Sequence, residues 1–198
     1  MFNLNIHPTN IFEGKHNQTL PGLFALTPPR KCARGRESDQ LVGLVQLTGQ
    51  TSITADALQD WLLKKATLFY KTPGTVTSAM RAVAEAINSD LLDRNIKKAK
   101  GGSQVNGSLC LSVIRKNIVY LLIVGQAHVF ILGGEDAVEF EDAENHPRGL
   151  GVNETVLCRF YQTEVSDNSA ILFAPQPNIA WSVDALRGGA VLSPQALA

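Results

Sequence analysis

The stretch Gly107-Ser-Leu-Cys-Leu-Ser-Val-Ile-Arg-Lys-Asn-Ile-Val-Tyr-Leu-Leu-Ile-Val-Gly-Gln-Ala-His-Val-Phe-Ile-Leu132 decides the fold class. Leu109, Leu111 and Val113, then Val119, Leu121 and Ile123, recur at every second position on either side of Lys116-Asn117. That is the period of a strand, and the polar pair between the two runs predicts a buried antiparallel hairpin. The meander is expected to continue through Val129-Phe-Ile-Leu, a turn at Gly133-Gly-Glu-Asp, and a strand from Ala137 to Phe140. Thr155 to Thr163 and Ser169 to Ala174 read as two further strands.

Upstream the period changes. Gly22-Leu-Phe-Ala-Leu is a strand candidate, and Leu41-Val-Gly-Leu-Val-Gln-Leu is a continuous apolar run expected to be a buried strand ended by Thr48-Gly-Gln-Thr. Between them, Thr27-Pro-Pro-Arg-Lys-Cys-Ala-Arg-Gly-Arg-Glu-Ser-Asp is too rich in Pro, Gly and charge to be core and reads as a loop. A helix is expected from an N-cap at Thr54 to Tyr70, with Ala57, Leu58, Trp61, Leu62 and Lys65 on neighbouring turns. In a second, longer helix Val76, Met80, Val83, Ile87 and Leu91 step by three or four. Lys97, Lys98 and Lys100 before Gly101-Gly102 supply a cationic last turn and a glycine stop. Strands and paired helices are segregated rather than alternating, so the expected class is α+β with mainly antiparallel sheets.

The chain has 198 residues, 44% hydrophobic and 18% charged, enough to bury a core and short enough to form one domain over 1–198. Eighteen basic residues balance eighteen acidic ones, so no net field draws the chain to nucleic acid or to an anionic membrane. Cys32, Cys110 and Cys158 are odd in number and lie outside any CxxC spacing, which argues against a disulfide framework and a zinc site; each sits in or beside an apolar strand or a loop without a nearby His and reads as a structural thiol rather than a nucleophile. With no basic segment followed by an apolar run at Met1-Phe-Asn-Leu-Asn-Ile-His, and no eighteen-residue apolar stretch, a cytoplasmic protein without membrane insertion is expected.

The order of elements and several local strings resemble the metal-dependent type-2C (PPM) Ser/Thr protein phosphatases, in a divergent, bacterial-like form. In that family the hairpin begins Gly-Ser/Thr-Thr and passes through Val-Gly-Asp-Ser-Arg. Gly107, Ser108, Val124 and Gly125 match, while Gln126 and His128 stand where the family has Asp and Arg. Arg34-Gly-Arg-Glu-Ser-Asp39 resembles the family's Arg-x-x-Asn-x-Asp, in which the Arg holds the substrate phosphate and the acids support the metals. The strand that should end Asp-Gly-His/Met-Gly reads Gln46-Leu-Thr-Gly. Arg148-Gly-Leu-Gly is similar to Arg-Ala-Leu-Gly, with Val152 for the Asp that follows. Ser169-Ala-Ile-Leu-Phe-Ala-Pro-Gln-Pro is similar to the strand ending Leu-Ala-Ser-Asp-Gly, with Gln176 and Pro177 for the Asp and Gly. The sequence ends at Ala198, before the helices and last strand of the family's domain, so the resemblance implies a C-terminally short version. The fold it implies is a four-layer α-β-β-α sandwich of two mainly antiparallel sheets flanked by helices.

Two divalent cations close together are held by anionic oxygens that also activate a bridging water, and a glutamine amide offers only a neutral oxygen. On the resemblance, the vestigial phosphate and metal pocket comprises Arg34, Glu37, Asp39, Gln46, Gln126 and Gln176, with Asp39 the only position matching a ligand motif. No metal or other cofactor is expected, and no catalytic residue. The leading expectation is a pseudophosphatase module that binds a protein, with a phosphorylated partner as one candidate. The alternative is a divergent Ser/Thr phosphatase with a rearranged Mn or Mg site using Asp39, Glu37 and acids near Asp142. A third is a structural or regulatory domain working beside another polypeptide.

The other chemistry-bearing residues form weaker patterns. His7, His16, His128 and His146 have no metal-ligand spacing. Glu135, Asp136, Glu139, Glu141, Asp142 and Glu144 lack the spacing of a calcium loop and read as a solvated acidic edge. Arg30, Lys31, Arg34 and Arg36 read equally well as a cluster for a phosphorylated partner and as loop charges that keep an edge soluble.

Overall fold

A computed structural model of the chain describes residues 10–12, 15–17, 20–49, 53–98, 104–145, 148–175 and 181–189. Two short strands, β1 (Asn10–Phe12) and β2 (Lys15–Asn17), pair with each other. The central layer is an all-antiparallel sheet of β3 (Leu23–Leu26), β4 (Gln40–Thr48), β5 (Asn106–Arg115), β6 (Ile118–Val124) and β9 (Arg159–Glu164), in the order β3-β4-β5-β6-β9. The hairpin read from Gly107–Leu132 is its middle: Lys116, at φ 55°, makes the turn, and Ser112 faces Leu121 across the ladder.

One face of this sheet, carrying Leu41, Val45, Leu109, Leu111, Val113, Leu122 and Val124, is covered by helices. These are α1 (Ala55–Ala66), α2 (Leu68–Lys71) and α3 (Val76–Lys98). The Thr54 hydroxyl accepts from the Ala57 N–H, so the cap seen in the sequence is real. The expected helix from Thr54 to Tyr70 is broken at Thr67, whose hydroxyl donates back to the Lys64 carbonyl at 2.7 Å and competes with the helical ladder. The glycine stop expected after α3 lies outside the described residues.

The other face packs on a second antiparallel sheet of β7 (His128–Gly133), β8 (Asp136–Glu141) and β10 (Ala170–Ala174), in the order β10-β7-β8. Cys110, Val119, Leu121 and Ile123 meet Val129 and Ile131 there. The opposite face of this sheet, with Phe130 and Leu132, is covered by the single turn α4 (Val183–Leu186) and by Trp181. The result is the expected α-β-β-α order of layers.

Two expectations need correcting. β7 does not continue the meander; it leaves the central sheet and founds the second one. Gly125, at φ 72°, turns the chain, and a side chain there would sit 3.0 Å from the Gly149 Cα. Because Val129 to Leu132 are all buried, β7 needs apolar layers on both faces, which the edge of one sheet would not give. The strand expected from Thr155 begins only at Arg159, because Asn153 and Glu154 are held to α3 by the Asn88 side chain. No described helix is long and apolar enough to cross a membrane.

Candidate functional site

The ends of β4 and β5 are paired, Gln46 opposite Ser108 and Thr48 opposite Asn106. All four share the parity of Leu44 and Cys110, so they lie on the face turned toward the second sheet. Gln126, in the bend between β6 and β7, and Pro175, after β10, approach from that second sheet. Together with Gly107 and Gly149 these residues line a hollow of about 70 Å³ at the mouth between the sheets.

Its floor is rigid. Gly107 and Leu150 exchange both backbone hydrogen bonds, at 3.1 and 2.7 Å. A Cβ on Gly149 would lie 2.3 Å from the Asn106 Oδ1 and 2.4 Å from the Gly107 carbonyl oxygen, so only glycine permits this approach. Behind the floor, two buried asparagines of α3 clamp the backbone on either side. Asn95 donates to the Val105 and Gly151 carbonyls, both at 2.8 Å, and accepts from the Val105 N–H at 2.9 Å. Asn88 accepts from the Gly151 N–H at 2.8 Å and donates to the Asn153 carbonyl at 2.9 Å. Neither asparagine is singled out by the sequence reading. The available signal is polarity at two positions, seven apart, on the otherwise apolar face of the helix.

The hollow's side chains are three amides, two hydroxyls and a proline. They offer neutral donors and acceptors and no anionic oxygen. Of the eighteen acidic residues in the sequence, Glu13 alone lies outside the described residues, and none of the others lines the hollow. Among the described residues no cluster of three His, Cys, Asp or Glu could hold a metal ion. Hard divalent cations need several charged oxygens, so this donor set does not fit the binuclear Mn or Mg centre that the resemblance implies for its family.

Five of the six residues expected to share one pocket divide between the two ends of β4. Gln46 and Gln126 line the hollow. Gln176 lies outside the described residues, next to Pro175. Arg34, Glu37 and Asp39 precede β4, seven residues from Gln46 at Asp39, or roughly 23 Å along a strand. The reason is local: the loop they occupy follows β3, and antiparallel pairing of Leu23 with Leu44 leaves that loop at the opposite end of β4 from the hollow.

At that opposite end Asp39 is fully buried, and both of its oxygens accept from Arg115, at 2.6 Å from Nε and 2.7 Å from Nη2. Arg36, 1% exposed, lies 3.6 Å from the same carboxylate and 4.9 Å over the Phe69 ring, and its Nη2 donates to the Gly74 and Thr75 carbonyls. Burial lowers the pKa of Arg36 while Asp39 opposes the shift, and the hydrogen bond to Asp39 raises that of Arg115; both stay cationic. Glu37 is exposed, and its carboxyl is held below its ordinary range by the Glu37 and Gly35 N–H groups, assisted by Arg34 and Arg115. Asp39 is therefore a member of an ion network with both oxygens engaged. The remaining named acids do not line the hollow but lie at its end of the second sheet: Glu141 pairs with His128, two residues from Gln126, the Glu139 carboxylate lies 2.7 Å from the His128 Nδ1, and Asp142, directly after β8, is buried.

No protein-family model and no curated protein matches the chain by sequence. Solved structures match it by shape. The S. agalactiae serine/threonine phosphatase aligns with a TM-score of 0.53 and 10% identity, over 76% of this chain and 76% of that one. PppA of Pseudomonas aeruginosa aligns with a TM-score of 0.52 and 13% identity, over 79% and 70%. A bacterial serine phosphatase aligns with a TM-score of 0.52 and 11% identity, over 72% and 70%. The fold is thus similar to that of the bacterial type-2C Ser/Thr phosphatases, as the order of sequence motifs implies.

Proposed function

We propose that this protein is a phosphatase-like module that binds another protein at the hollow and does not hydrolyse phosphoesters. The observation that carries the reading is the hollow's donor set: Gln46, Gln126, Asn106, Thr48 and Ser108 surround it, with no carboxylate among the described residues that line it. A phosphatase of this fold class needs a metal-bound water of lowered pKa, and that water needs cations held by negative charge. Neutral amides and hydroxyls instead suit a hydrogen-bonded contact with polar groups of a partner, each donor and acceptor finding a mate as water leaves. The rigid floor at Gly107, Gly149 and Leu150 supports the same reading, because a fixed surface loses little entropy on binding.

The rival reading, a rearranged metal centre using Glu37, Asp39 and acids near Asp142, would need groups from both ends of β4, because Glu141, next to Asp142, pairs with His128 near Gln126 while Glu37 and Asp39 precede the strand. Asp39 has both oxygens committed to Arg115, and it and Glu37 are roughly 20 Å or more from the hollow along β4. The test is hydrolysis of a phosphoserine peptide with Mn²⁺ present. No turnover above a chelated control is expected. Turnover abolished both by chelator and by Gln46→Ala would overturn the proposal. As a companion measurement, a photo-crosslinker replacing the exposed Gln126 should trap a partner that the unmodified chain competes away.

A further inference from the structure

We propose that the loop joining β3 to β4 is a docking surface for an anionic peptide segment of another protein, separate from the hollow and at the opposite end of the molecule's longest central strand pair. The inference stands on its own observations and holds whether or not the hollow binds a partner.

Two antiparallel neighbours need only a two-residue turn between them, yet residues 27–39 intervene between β3 and β4. Long connections of this kind in compact folds are commonly functional. Nor is this one left loose. The Ala33 N–H donates to the Tyr70 carbonyl at 2.7 Å, and Arg115 Nη2 donates to the Gly35 carbonyl at 2.6 Å. Arg36 fastens the loop to the start of α3 through the Gly74 and Thr75 carbonyls. Within it, Arg36 N–H donates to the Ala33 carbonyl and Asp39 N–H to that of Arg36. Burying the charges of Arg36 and Asp39 is costly in itself, and replacing such a network with apolar packing is often neutral or better. A strand connection does not require it; a loop that must hold a fixed outer surface does.

That outer surface is cationic. Arg30, Lys31 and Arg34 are all exposed, and Lys71, beside the Ala33–Tyr70 bond, is exposed too. In the same loop Glu37 is the exposed carboxylate, while Asp39 is fully buried with both oxygens on Arg115. Several cations spread along an anchored loop suit an extended chain bearing several anionic groups, with carboxylate or phosphate oxygens received by the planar guanidinium forks. The protein carries no net charge, so attraction here is local and does not extend to every polyanion.

The experiment is fluorescence anisotropy with three labelled peptides: one carrying phosphoserines among aspartates, one with glutamate at each phosphoserine, and a neutral serine-asparagine control. Both anionic peptides should bind and the neutral one should not, with affinity falling on the order of tenfold between low and physiological salt. Arg30→Glu/Lys31→Glu/Arg34→Glu should lower affinity by about tenfold or more with an unchanged melting temperature, because all three side chains are exposed. Gln46→Ala/Gln126→Ala should leave binding unchanged, which separates this surface from the hollow. A preference for phosphoserine would assign recognition to phosphate, and equal binding would assign it to charge; either sustains the proposal. Absence of binding at low salt, indifference to the triple reversal, or tighter binding of a single-stranded oligonucleotide would overturn it.

Discussion

Replacing Asn95 by leucine should lower the unfolding free energy by about 3–5 kcal/mol. The side chain is buried and makes three hydrogen bonds, with the Val105 N–H, the Val105 carbonyl and the Gly151 carbonyl. Leucine is similar in volume and leaves little cavity, so the loss comes from the three stranded backbone groups. An orphaned buried N–H costs about 1–3 kcal/mol and an orphaned carbonyl, with two lone pairs, somewhat less. Asn95→Asp keeps an acceptor for the Val105 N–H but turns a carboxylate oxygen toward two carbonyls. Its folded pKa is then raised, so its stability is present below the ordinary carboxylate pKa and lost as pH rises through the folded value. Urea unfolding followed by tryptophan fluorescence reads both variants. Hydrogen exchange over 104–108 and 148–151 reads the hollow's floor, and should accelerate in both. A leucine variant within about 1 kcal/mol of the parent, with unchanged exchange in those segments, would refute the assignment of Asn95 as the clamp behind the site.

Other outcomes follow from the same structure. Asp90 accepts from Trp61 at 2.8 Å and sits 2.7 Å from Lys65; burial raises its pKa, but these two partners together outweigh burial and lower it. Its contribution is therefore present above the ordinary carboxylate pKa and lost as pH falls through the folded one. Asp90 is 43% exposed, so Asp90→Asn should cost under about 1 kcal/mol at pH 7 and should flatten the acid limb of the stability profile; a steeper limb would contradict this. Burial pushes the Cys110 thiol up to about 12 and, as the largest cause, that of Cys158 to about 11. At pH 8 only about one Cys110 in ten thousand is thiolate, so an alkylating reagent should spare both until the protein unfolds, as peptide mapping would show. The Tyr70 hydroxyl bridges the Leu26 and Asp39 carbonyls at 2.8 and 2.7 Å, and Tyr70→Phe should cost about 1–2 kcal/mol by urea unfolding, with no loss expected if the phenol is idle.

Much of this fold is legible in the sequence because its signals are local. Thr54 reads as a cap and caps; Val76 to Leu91 keeps helical spacing and is helical; the alternation around Lys116-Asn117 is the hairpin at the centre of the larger sheet. The departure of β7 into a second sheet is not local. It depends on Gly125 and on which layers bury Val129 to Leu132, and a run buried on both faces looks the same in either sheet. The site divides in the same way. Gln46, Ser108 and Gln126 are recognisable because each sits at a strand end within a motif, and the fold brings them together. Arg34, Glu37 and Asp39 match a motif by residue type and spacing, but spacing does not say at which end of β4 a loop lies; antiparallel pairing with β3 decides that. Asn88 and Asn95 escape the reading because their partners are backbone groups more than fifty positions away for the Gly151 bonds.

The central claim is that the hollow between Gln46 and Gln126 is an uncharged hydrogen-bonding surface and not a divalent metal centre. Calorimetric titration of Mn²⁺ and Mg²⁺ into the purified chain tests it most directly. No saturable heat is expected up to about 1 mM metal, because a donor set of amides and hydroxyls supplies none of the charge such ions require. Micromolar binding that disappears in Gln46→Ala would contradict the claim and return the protein to the company of metal-dependent phosphatases in activity as well as in fold.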